Sequence, residues 1–176
     1  MVNWHRSVGD DQPSAAPPVK GLSTWSGRRR AVSANVGAIF DAASDGLRDN
    51  PRMNVSPALQ ALYQGDPERA QTLLAPDGEL DAYEAAAFGR VERLRAILDD
   101  DPVAANQWSP DGFTALHLAI FGGSEDAVRL LVERGADLEA VSTASIAQVR
   151  PIGTARFVER PDLERLLLDA GAEPLD

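Results

Sequence analysis

Apolar residues recur at helical spacing through most of this chain, in short runs broken by glycine. In the stretch Asp111 to Ala140, Leu116, Ala119 and Ile120 give one helix an apolar face. Val128, Leu131 and Val132 do the same for a second. Thr114 and Ser124 stand where N-caps are expected, and Glu125 and Asp126 fill a first turn where the helix dipole favours negative charge. Gly122-Gly123 predict a tight reversal between the helices, and Gly135 a left-handed C-cap. Arg129 and Arg134 fall on the solvated side. Two helices this short cannot bury their apolar faces alone, so further copies must stack beside them.

The neighbouring sequence holds those copies. Aligned on Thr114 and the glycine nine residues after it, Gly123, the same spacing recurs at Ser56 and Gly65 and at Leu80 and Gly89. Arg150 heads a fourth copy with Glu159 in the glycine place, and Gly171-Ala172-Glu173 matches Gly135-Ala136-Asp137. The units run about 54–77, 78–109, 110–140 and 148–176 within a domain spanning 53–176. The step from 56 to 80 is short, which predicts a reduced first connection; the step from 114 to 150 is long, which predicts an irregular finger over 140–149.

Thr114-Ala115-Leu116-His117-Leu118-Ala119 resembles the Thr-Pro-Leu-His-x-Ala signature of ankyrin repeats, with Ala115 where proline is usual. The resemblance covers residues 54–176. It implies an all-α ankyrin-repeat solenoid of stacked helix-turn-helix units with short hairpin fingers. It also implies a protein-binding scaffold, with a structural, hydrogen-bonding role for His117. In that family the contact surface comprises the fingertips and the exposed face of each first helix. Carried onto this chain, those sites hold Tyr63, Phe88, Phe121 and Phe157, with Trp108 and Phe113 on the third unit's finger. These six are the expected partner-binding residues. They are expected to stand exposed on the concave face, with Trp108, Phe113 and Phe121 as central anchors. The alternative is that some of the six pack on one another or under the N-terminal extension, and for Tyr63 and Phe157 at the ends the two readings weigh equally.

Residues 1 to about 33 are rich in Pro, Ser, Gly and charge and predict disorder. Trp4 and Trp25 are unusual in such a tail, and either could dock on the domain or on a partner. Val36, Ile39, Phe40, Ala43 and Leu47 form a helical stripe, placing a short helix at 35–48 within an otherwise disordered extension, 1–52. That helix could cap the first repeat or bind a partner; a start at Met53, with the preceding segment a translated upstream region, is a third alternative.

The net charge of −10 is uneven. Residues 53–176 hold ten Arg and 22 Asp or Glu, whereas residues 1–52 are slightly basic. An acidic solenoid repels phosphate backbones, so nucleic acid is not an expected partner. The charge serves solubility, or steers a basic partner. The chain has no cysteine, which excludes disulfides and thiol nucleophiles. No apolar run reaches the length of a membrane span, and the N-terminus lacks a secretory h-region. Arg28-Arg29-Arg30 precedes a run too polar and too short for a twin-arginine signal. A cytoplasmic monomer without cofactor or metal is the expectation.

His117 has no second histidine or positioned carboxylate at ligand spacing. Asp99-Asp100-Asp101 lacks the spacing of a calcium loop and opposes the helix dipole with no visible benefit. Phosphate-binding, dinucleotide and G-x-S-x-G motifs are absent. The expected function is therefore a non-catalytic module that binds a protein or peptide. The alternatives are a small regulatory or inhibitory subunit of a neighbouring enzyme, or an enzyme with a site in the 140–149 finger or the N-terminal extension.

Overall fold

The computed structural model describes residues 55–144 and 148–175. The extension 1–52, the helix expected at 35–48 and both tail tryptophans lie outside the described residues. Among those described, every regular element is helical, apart from one isolated bridge between Trp108 and Thr114.

Four helix pairs follow one another: α1 (Pro57–Tyr63) and α2 (Pro67–Leu73), α3 (Ala82–Ala87) and α4 (Val91–Asp100), α5 (Ala115–Gly122) and α6 (Glu125–Glu133), and α7 (Pro151–Phe157) and α8 (Pro161–Asp169). Their starts follow the cap chemistry. Ser56 accepts from the Leu59 N–H at 3.2 Å, Asp66 from Arg69 at 2.9 Å, and Asp81 from Glu84 at 2.8 Å. Proline occupies the first turn of α1, α2, α7 and α8, where its missing donor has no intrahelical partner to serve.

First helices stack on first helices: α3 on α5 and α5 on α7. Second helices form a parallel row, α4 on α6 and α6 on α8. The core between the rows includes Leu94, Leu98, Leu116, Ile120, Leu131, Ile152, Leu163 and Leu167, each 0–1 % exposed. The close approach of α3 to α5 explains Gly122. A Cβ there would overlap the Ala87 carbonyl oxygen. Gly122 thus permits helix packing, and Gly123, at φ 74°, makes the turn.

The first unit departs from the regular stack. A 3-10 turn at Asp77–Glu79 replaces a finger, as the short first step requires. α1 packs mainly on α2 and meets α3 over a much smaller contact than α3 makes with α5. Its Tyr63 passes the second unit and reaches the third.

The Asp99–Asp101 run has a structural use, contrary to expectation. Asp99 accepts from Arg134 of the next unit at 2.6 Å. Asp101 caps the 3-10 turn Pro102–Asn106, accepting from the Val103 N–H at 3.3 Å.

Candidate protein-binding surface

Two consecutive fingers are built alike. In the first, the Ser109 N–H donates to the Phe113 carbonyl at 2.8 Å, and the Phe113 N–H donates back to the Ser109 hydroxyl at 3.0 Å. In the second, Ser142 and Val149 make the same exchange at 2.9 and 3.1 Å. The fingers are tied by the Thr143 N–H donating to the Gly112 carbonyl at 2.9 Å. Gly112 has φ 87°, and a Cβ there would meet the Thr143–Ala144 backbone. The residue preceding each serine is exposed and apolar: Trp108 is 42 % exposed and Val141 49 %.

His117 locks this arrangement from below. Its Nε2 lies 2.9 Å from the Val149 carbonyl, which can only accept, so Nε2 carries the proton. Its Nδ1 accepts from the Thr114 N–H at 3.4 Å and lies 2.9 Å from the Thr114 hydroxyl. One imidazole therefore joins the start of α5 to the finger of the following unit. Burial pushes its pKa below the ordinary histidine value; the bond to Val149 opposes this with less effect.

Asp111 is the buried carboxylate of the finger, 7 % exposed. One of its oxygens accepts from the Ser109 hydroxyl, and the other from the Tyr63 hydroxyl at 2.5 Å. Burial first, and then the Asp111 charge, raise the Tyr63 phenol well above its ordinary value, so it stays a donor. The Tyr63 ring packs edge-on against Phe121, with centroids 5.4 Å apart, and tilted against Phe113 at 6.5 Å. His117 lies between Phe113, at 5.9 Å, and Trp108, at 6.5 Å.

The six residues expected to stand exposed divide into two groups. Phe88, at 1 % exposure, Tyr63, at 6 %, and Phe121, at 7 %, are core, which corrects the expectation of an open aromatic stripe. Tyr63 folding across from the first unit covers the Phe121 ring, and close helix stacking encloses Phe88. Phe113 is half-buried. Trp108 and Phe157, the latter 37 % exposed, are the open aromatics among the six. Val141 was not singled out by sequence reasoning, and Asp111, expected only as part of acidic surroundings, is instead a buried acceptor. A cross-alignment of the fingers on Ser109 and Ser142 would have paired Val141 with Trp108.

A family model described as ankyrin repeats, in three copies, matches residues 54–142, half of the chain. The chain belongs to the ankyrin repeat family. The matched span covers the first three helix pairs; α7 and α8 form a fourth pair beyond it. Ankyrin repeats generally mediate protein–protein interactions. Alpha-latroinsectotoxin-Lt1a of Latrodectus tredecimguttatus is 38 % identical over 79 residues, 45 % of this chain and 5 % of the toxin. Ankyrin repeat and SAM domain-containing protein 6 of Rattus norvegicus is 38 % identical over 84 residues, 47 % of this chain and 10 % of that protein. The chain thus spans a small part of the length of these relatives. Among solved structures, an ankyrin repeat domain from Acinetobacter baumannii AYE is 25 % identical, with 81 % of this chain and 80 % of that chain covered and a TM-score of 0.47. The ankyrin repeat domain of Bcl-3 is 26 % identical, with 86 % and 71 % covered and a TM-score of 0.42.

Among the described residues, no cluster of three or more His, Asp or Glu side chains is arranged to hold a metal ion. No described helix is long and apolar enough to cross a membrane.

Proposed function

We propose that this ankyrin domain is a non-catalytic module that holds a protein or peptide segment along its fingers, with Trp108 as the main anchor. The observation that supports this reading is the pair Trp108 and Val141. They occupy equivalent places on consecutive fingers, which the Thr143 N–H to Gly112 carbonyl bond ties together, and both leave apolar surface open. His117, itself packed on Phe113, backs the tryptophan, so its ring is supported before a partner arrives. Phe157 sits exposed at the end of α7, in the last first helix of the row, and is a second candidate contact. Tyr63, Phe88 and Phe121 serve this surface as its support, not as contacts.

The charge of residues 53–176 favours a neutral or basic segment carrying an apolar side chain. It would set the rate of encounter more than the affinity. In this reading the domain works as a monomer in the cytoplasm. The test is selection from a displayed random-peptide library on the wild-type domain. Selected peptides are expected to bind Trp108→Ala and Val141→Asp at least roughly five-fold more weakly, the scale of one hot-spot side chain. Peptides that bind both variants as well as wild type would place the contact surface elsewhere.

A further inference from the structure

We infer that Tyr63 is a positioning residue for the Trp108 finger, and that through it the docking of the first helix pair and the binding of a partner at the finger regulate each other. The inference rests on the finger-binding reading for the nature of the site; the link itself rests on bonds within the chain. Tyr63 is the last residue of α1, in the first unit, whereas the finger belongs to the third. Two routes run from Tyr63 to Trp108.

The first route is polar. Trp108 precedes Ser109, which closes the finger turn in three ways. Its N–H donates to the Phe113 carbonyl, its carbonyl accepts from the Gly112 N–H at 2.9 Å, and its hydroxyl accepts from the Phe113 N–H. A serine hydroxyl has one proton, and here it goes to Asp111, which leaves a lone pair for the Phe113 N–H. The other Asp111 oxygen is held by the Tyr63 hydroxyl, 48 positions earlier in the chain. Asp111 therefore orients Ser109, and Tyr63 orients Asp111. The second finger shows that this clasp is an addition. Aligned on Ser142, it carries Ala144 where the first carries Asp111, and it still makes the serine exchange with Val149. The turn can thus form without a carboxylate; what the carboxylate adds is the tie to α1.

The second route is aromatic. The Tyr63 ring packs on Phe113, Phe113 on His117, and His117 on Trp108. Release of α1 would withdraw both supports at once, since Asp111 loses a donor and Phe113 a ring neighbour. Coupling of this kind is reciprocal. A segment that binds the ordered finger must tighten α1, and loosening α1 must weaken the hold on that segment.

The test is residue-resolved amide exchange on the full chain, free and with a peptide selected from the displayed library. Tyr63→Phe keeps the ring and removes the donor. In the free protein it is expected to speed exchange of the Ser109 and Phe113 amides at least roughly five-fold, together with α1 but not α8. In wild type, the peptide is expected to slow exchange in α1 as well as in the finger. In Tyr63→Phe it should bind at least about five-fold more weakly, and protect the finger but no longer α1. Asp111→Asn cuts the same route at its other bond, so the two substitutions together are expected to do little more than either alone. Unchanged finger exchange in Tyr63→Phe, additive effects of the pair, or protection of α1 that persists in the variant would each overturn the inference. Peptides indifferent to Trp108→Ala would overturn the finger-binding reading instead, while exchange in the free protein still decides the link.

Discussion

The Tyr63 hydroxyl, at the end of α1 in the first unit, donates at 2.5 Å to Asp111, in the finger of the third unit. Ordinary repeats touch only their neighbours. This bond bypasses one, so the first helix pair is fastened to the middle of the domain instead of stacking at its edge. Asp111 is buried and has two hydroxyl donors, Tyr63 and Ser109. Tyr63→Phe removes one and leaves the carboxylate short of a partner. The expected destabilisation is about 1–3 kcal/mol, the range for an unmatched buried polar group. Chemical denaturation checks the magnitude. Amide exchange should show α1 opening before α5; equal opening of both would mean that the bond does not fasten the first unit.

Burial separates the aromatic residues by what their loss does. Phe88→Ala and Phe121→Ala remove core rings and should each cost about 3–5 kcal/mol. Trp108→Ala removes a half-exposed side chain and should shift stability by no more than about 1 kcal/mol. Thermal melts of the three variants decide this. A Trp108→Ala melt as low as that of Phe121→Ala would make the finger part of the core.

Acid should weaken the domain through His117. Its pKa is lowered in the folded state by burial, so the unfolded chain takes up a proton first as pH falls. The stabilisation is fully present above about pH 6.5, the ordinary histidine value, and is lost as pH drops through the lower folded value. Melting temperature should therefore fall between pH 7.5 and 5.5. His117→Gln should start less stable, because it disturbs the bonds to Thr114 and Val149, but should show a flatter profile over that window. An equally steep profile in the variant would assign the effect to other groups.

Glu159 has φ 54°, the left-handed region, at the place where the other three units carry Gly65, Gly89 and Gly123. A side chain there strains the backbone by roughly 1–2 kcal/mol. Glu159→Gly should therefore raise stability by up to about 1 kcal/mol, after allowing for the added freedom of the unfolded chain. An unchanged or lower midpoint in denaturant would show that Glu159 makes a compensating interaction.

The repeats were legible in the sequence because each rests on local chemistry. Ser56, Asp66 and Ser124 cap the helices that follow them; Gly123 and Gly135 take positive φ where the pattern asked for turns. Such features depend on residues three or four apart and need no knowledge of distant chain. Apolar spacing then placed Leu116, Ile120 and Leu131 in the core, and all three are fully buried. The motif around Thr114 and His117 identified the family for the same reason, since its Thr114–His117 bonds close within one turn, although the His117 bond to Val149 reaches the next unit.

The surface could not be read this way. Whether Phe121 faces a partner or Tyr63 depends on where the first helix pair lies, and a shortened connection set that position. Phe88 is enclosed by the distance between neighbouring helices, which Gly122 and a run of alanines allow to be small. Sequence alone thus determined which residues form helices and which repeat they belong to, because period and caps act over a few residues. Only the tertiary structure decided which aromatics stay open, because exposure is fixed by neighbours distant in the chain.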